Sequence, residues 1–78
     1  MESAAPTILW RLFKSAGSLG KGGEHARAVI LPGGPPYTLA FFANEAMDRV
    51  ENYETINLAL FRAEEIRQSL EDDGWTED

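Results

Sequence analysis

Cysteine is absent from this chain of 78 residues, and histidine occurs once. The first absence excludes disulfides and thiolate metal centres, and the second leaves a zinc site nothing but carboxylates beside His25. At this length only about 60% of the unfolded surface can be buried, so small domains often rely on a disulfide, a metal or a partner subunit. Of those three, the composition leaves oligomerisation. A chain without cysteine is compatible with the reducing cytoplasm. No apolar run approaches the roughly 18 residues that a membrane helix needs. The opening MESAAPTILWRLFK places no basic segment ahead of an apolar core, so a soluble cytoplasmic protein is expected, with neither a signal peptide nor a membrane span.

Positive charge is also scarce. Seven Lys and Arg stand against thirteen Asp and Glu, for a net charge of −6. The deficit is local: residues 1–50 are nearly balanced, whereas in residues 51–78 only Arg62 and Arg67 face nine acids. Nonspecific binding of duplex nucleic acid through that half is disfavoured, because phosphates would meet carboxylates.

Catalytic and phosphate-binding motifs are missing. Residues 15–25, SAGSLGKGGEH, are glycine-rich, but Gly17-Ser18-Leu19-Gly20-Lys21 has two residues where a P-loop has four, and Gly22 replaces the magnesium-binding hydroxyl. No dinucleotide fingerprint is present either. Gly17 to Gly20 and Gly20 to Gly23 match the bare GxxG of KH-type RNA binders, without the helices that would flank it. A flexible connector is expected here. His25 has no nucleophile and orienting acid arranged around it, and Ser15 and Ser18 lie in the same connector. Glu64-Glu65 and Asp72-Asp73 are adjacent pairs, which on a helix point about 100° apart and make no acid/base dyad. The acids near the end have no EF-hand spacing. No enzymatic activity, no cofactor and no metal are expected.

What the chain does contain is an amphipathic helix. Ile56, Ala59, Leu60, Ala63, Ile66 and Leu70 recur at three- and four-residue intervals, with Glu64, Arg67, Gln68 and Glu71 mostly outside that stripe. Thr55 or Asn57 is the N-cap candidate. Gly74 is placed to end the helix in a left-handed conformation, with Leu70 and Trp75 as the apolar pair of a Schellman stop. Leu58 and Phe61 point away from the stripe and mark a second contact, with the sheet edge or with another subunit.

Before the helix, the apolar pattern has a period of two. Thr7 to Lys14 places Ile8, Trp10 and Leu12 on one side and Leu9, Arg11 and Phe13 on the other; a short helix from Pro6 to Ala16 is the competing reading. Arg27 to Leu31 and Tyr37 to Ala43 read as a hairpin across the turn cluster Pro32-Gly-Gly-Pro-Pro36. Asn44-Glu45 then reads as a two-residue turn leading into a strand from Ala46 to Tyr53. The expected fold is α+β: a four-stranded antiparallel meander with one C-terminal amphipathic helix packed on one face (ββββα). The alternative is αββα(α), with a short N-terminal helix. Residues 7–75 form a single domain, with 1–6 a disordered N-terminus and 76–78 a disordered acidic tail.

The segment Leu70-Glu-Asp-Asp-Gly74-Trp75, after an Asn-turn hairpin and a helix, resembles a pattern in small bacterial proteins; it covers the last half of the chain and implies no site. The ββββα order with an aromatic, mildly basic sheet is also similar to single-stranded nucleic-acid binders of the Whirly and Pur-alpha type. That resemblance implies bases stacking on an open sheet face, with Trp10, Arg11, Lys14, Arg27, Phe42 and Arg49 as contacts. The residues themselves point first to a non-enzymatic homodimeric protein-interaction module, with Leu58, Phe61, Phe42 and Trp10 as candidate interface residues.

Overall fold

A computed structural model of the chain describes residues 5–15 and 23–78. Four strands come first: β1 (Thr7–Ser15), β2 (Gly23–Ile30), β3 (Tyr37–Ala43) and β4 (Ala46–Tyr53). Helix α1 (Ile56–Asp72) follows, and a two-residue strand, β5 (Thr76–Glu77), closes the order. All pairings are antiparallel, and the sheet runs β4-β3-β2-β1-β5. The expected four-stranded meander with a C-terminal helix is therefore present, with one strand added. Thr76 and Glu77, from the expected disordered tail of residues 76–78, supply that strand, and the Asp78 amide after it donates to the Arg11 carbonyl at 3.1 Å.

The competing N-terminal helix does not form, because residues 7–15 pair with β2 along their length, Arg11 opposite Arg27 and Phe13 opposite His25. Strand β2 also begins earlier than expected. Gly23 to His25 belong to it, and a Cβ on Gly23 would lie 2.6 Å from the Lys14 carbonyl oxygen and 2.7 Å from the Phe13 ring. Glycine at this position thus permits close strand approach. Of the glycine-rich connector, residues 16–22 lie outside the described residues, as do residues 1–4 of the expected disordered N-terminus.

Strict alternation fails in β1. Ile8 pairs with Val29 and Trp10 with Ala28, so Leu9 is the extra residue of a β-bulge. The bulge sends Ile8 to the opposite face from Trp10 and Leu12, and lets Leu9 pack against the core with them. A second bulge places Asp48 between the pairs Phe41–Arg49 and Phe42–Met47. At the tip of this hairpin Asn44 (φ 51°) and Glu45 (φ 74°) are both left-handed, as a two-residue primed turn requires.

The core lies between one sheet face and α1. Trp10, Leu12, Ala28, Ile30, Leu39, Phe41, Ala59 and Ala63 form the buried cluster. Large sheet residues meet small helix residues, which brings the helix backbone close enough for the Trp10 Nε1–H to donate to the Ala63 carbonyl at 2.9 Å. This rotation narrows the expected stripe. Ile66 and Leu70 pack at the margin of the core, but Ile56 and Leu60 are exposed.

Both helix ends are specified locally. The Thr55 hydroxyl accepts from the Leu58 amide at 3.2 Å, which makes Thr55 the N-cap. At the other end Trp75 N donates to Leu70 O at 3.0 Å and Gly74 N to Glu71 O at 3.1 Å, with Gly74 at φ 101°. These are the two hydrogen bonds of a Schellman motif. Leu70 and Trp75, the expected apolar pair, both pack against the core.

Candidate interaction site

The path of α1 decides which surfaces are left open. It begins immediately after β4 and ends beside β1, where Lys14 Nζ lies 3.5 Å from an Asp73 carboxylate oxygen. The N-terminal half of the helix therefore lies toward the β4 side of the sheet. Arg62 fixes that placement, its Nε donating to Glu51 Oε1 at 3.2 Å. Glu51 is the centre of a polar cluster. The Tyr53 hydroxyl donates to the same oxygen at 2.7 Å, and Arg49 Nε lies 3.5 Å from the other. The Tyr53 hydrogen bond, followed by those charges, holds the Glu51 carboxyl below its ordinary value against an opposing contribution from burial. The same hydrogen bond, followed by burial and the Glu51 charge, raises the Tyr53 hydroxyl.

Leu58 is one turn before Arg62 on the same side of the helix, and Phe61 adjoins it. They are 52% and 66% exposed. At about 100° per residue Leu58 lies roughly 110° from the buried stripe and Phe61 roughly 170° from it. Leu58 thus faces sideways over β4, whereas Phe61 points away from the sheet. Glu65, one turn after Arg62, pairs with it at 3.4 Å. Below this flank β4 is the terminal strand, and among the described residues nothing pairs with its outer edge.

Among the described residues no helix lies on the opposite sheet face. One row across it is apolar, formed by Ile8, Val29, Ala40 and Val50 in cross-strand register. The next row is Arg11, Arg27, Phe42 and Met47, with the Arg27 guanidinium 4.2 Å from the Phe42 ring centroid. Neither Arg11 nor Arg27 has a carboxylate within ion-pair distance among the described residues. A shallow cavity of about 330 Å³ opens here, lined by Arg11, Arg27, His25, Phe42, Glu45 and Asp78 among others. His25 Nδ1 is 3.2 Å from Asp78 Oδ2, and the His25 ring packs on Phe13 at 5.0 Å between centroids.

The structure separates residues that the sequence pattern had grouped. Trp10, a candidate for both the interface and base stacking, is 8% exposed beneath the helix and belongs to the core. Lys14 lies beside the C-terminal end of α1 at Asp73, and Arg49 sits over Phe41 on the helix side, 5.1 Å from its ring centroid. Only Arg11, Arg27 and Phe42 of the nucleic-acid set share the open face. Leu58 and Phe61 stay together on the helix flank. Of the two contacts expected for this pair, the sheet edge is the unpaired side of β4, which Leu58 faces; which strand would supply that edge was not read from the sequence.

Among the described residues no cluster of three or more metal-ligating side chains occurs, and no helix is long and apolar enough to cross a membrane. No family model matches the chain, and neither a known relative nor a solved structure is found to be similar to it.

Proposed function

We propose that this chain is a non-enzymatic homodimeric protein-interaction module whose dimer surface is the β4 edge together with the Leu58–Phe61 flank of α1. The observation that carries this reading is the coincidence of two exposures on one side of the molecule. An unpaired strand edge presents backbone donors and acceptors to any second strand, and native domains usually cover or blunt it. Leu58, more than half exposed, faces sideways over that edge, and Phe61, also more than half exposed, adjoins Leu58 on the outer side of the helix. Apolar anchors beside such an edge are what a partner would desolvate. Light scattering over a concentration series tests the proposal, with twice the chain mass expected. The double substitution Leu58→Ser/Phe61→Ser is expected to lower that mass while leaving the far-ultraviolet circular dichroism unchanged. Unchanged mass in the variant would move the interface to the open sheet face.

A second reading, single-stranded nucleic-acid binding, is favoured by the Arg11–Arg27–Phe42 row. A guanidinium stacked on an aromatic beside a second unpaired guanidinium suits a phosphate next to a flat base. Oligonucleotide titration at low and higher salt checks it. Binding that weakens with salt and is lost in Arg27→Ser supports this reading, and no binding at low salt removes it.

A further inference from the structure

Strand β4 carries an alternation of charge beside its unpaired edge, where Glu51 already binds Arg62 and Tyr53 and Arg49 lies over Phe41 within one subunit. Arg49 and Glu51 lie on the helix side, opposite Phe41 and Leu39, and Val50 lies between them on the open side, opposite Ala40. Reading outward from Val50, the neighbours are Arg49 and Glu51, of opposite charge, and then Asp48 and Asn52. Such a segment is complementary to itself in antiparallel orientation.

From this pattern, and resting on the dimer reading above, we infer that two copies join edge to edge through β4, with the two-fold axis passing between their Val50 residues, to form a continuous ten-stranded sheet. An axis normal to the sheet keeps both helices on one face, so directly opposed residues must come from the same face of the strand. The axis must then fall on a residue, and the stretch free of the Asp48 bulge, Arg49 to Tyr53, offers five. An axis on Arg49 or Glu51 sets like charges directly opposite each other, which is destabilising. An axis on Asn52 or Tyr53 pairs the strand with residues beyond its own end and opposes Val50 or Asn52 to Glu54. An axis on Val50 alone opposes Arg49 to Glu51 of the second copy, twice, and sets the two valines side by side. It also brings two copies of the Arg49–Glu51–Arg62 cluster together, so that each carboxylate meets a third guanidinium. Arg62 ties the helix to Glu51, next to the axis, and Leu58, one turn away on that side, therefore faces the joint.

The absence of cysteine makes the register directly measurable. In the Val50-centred register the two copies of residue 50 have Cα atoms about 4.5–5.5 Å apart, within disulfide range. Each residue step away from the axis adds about 6.6 Å, since both strands recede at about 3.3 Å per residue, so two copies of residue 52 stand more than 13 Å apart. Under mild oxidation Val50→Cys is expected to cross-link to dimer at least tenfold faster than Asn52→Cys, a substitution on the same strand face. A second test reverses charge: Arg49→Glu, which in this register faces Glu51 of the second copy, should dissociate the dimer. If wild type is dimeric but Asn52→Cys cross-links as fast as Val50→Cys, or Arg49→Glu leaves the dimer intact, the register falls and the dimer reading stands. A wild-type monomer at all accessible concentrations overturns both.

Discussion

Replacing Trp10 by Phe separates a core role from a surface role for a residue that the sequence pattern made a candidate for both the interface and base stacking. The indole is buried and its Nε1–H donates to the Ala63 carbonyl at 2.9 Å. Phenylalanine would lose that hydrogen bond, a net effect of about 0.5–1.5 kcal/mol. It would also remove part of the ring, at about 0.8 kcal/mol per methylene-sized group and more where a cavity remains. The sum is about 2 kcal/mol. For a domain of this size each kcal/mol moves Tm by about 4–8 °C, so Tm should fall by roughly 8–16 °C. The assay is thermal and urea unfolding followed by far-ultraviolet circular dichroism, with both proteins at one concentration because a dimer's stability depends on it. A residue of an exposed stacking platform would change stability by less than about 0.5 kcal/mol. A change that small would refute the placement of Trp10 beneath α1.

Three more substitutions probe the local devices. Gly74→Ala should destabilise by about 1–2 kcal/mol through the left-handed backbone alone, since an added Cβ would find its nearest contact at 3.8 Å; urea denaturation measures it. Glu45→Gly should stabilise by about 0.5 kcal/mol, because φ 74° strains a non-glycine residue and the gain is partly offset by a freer unfolded chain. Glu51→Gln should flatten the acid limb of the stability profile. A carboxyl held below its ordinary 4.5 contributes stability that is fully present above that pH and is lost as pH falls through its lowered folded value. Unfolding free energies measured at pH values on both sides of 4.5 should diverge between wild type and variant above that pH and converge below it.

The elements that were legible in the sequence are those specified by local chemistry. Gly74 with Leu70 and Trp75 fixed the helix stop, Asn44-Glu45 the hairpin turn, and the period-two pattern of Tyr37 to Ala43 both faces of β3. What escaped depended on partners distant in sequence. The Leu9 bulge, which flips Ile8 away from Trp10, arises from register against Val29 and Ala28. The exposure of Ile56 and Leu60 follows from α1 turning Ala59 and Ala63 to a sheet that already carries Trp10 and Phe41. Strand β5 could not be seen in an acidic tripeptide, because its pairing requires β1 beside it. The proposed surface was half legible: Leu58 and Phe61 stand out from the helical stripe, but that Leu58 faces a strand edge unpaired among the described residues is a property of the topology.

The two edges of the sheet are treated differently, and that difference bears on how the domain is completed. At the β1 edge the chain returns after the Schellman turn, pairs Thr76 and Glu77 with Phe13 and Leu12, and continues with the Asp78 amide on the Arg11 carbonyl. At the β4 edge nothing equivalent occurs among the described residues, although β4 has 8 residues against the 9 of β1 and α1 leaves Leu58 and Phe61 exposed. Among the described residues the only side chains both large and fully buried are Leu12 and Leu39, and two alanines supply the buried helix face. So thin a core leaves little surplus stability to a domain of this length. A second copy on β4 would satisfy the edge donors and acceptors, cover the Leu58 side of the helix and extend the apolar row Ile8–Val29–Ala40–Val50 across the joint. The open face would then carry two Arg11–Arg27–Phe42 sites on one side of one sheet, so edge dimerisation and ligand binding there would not compete for the same surface.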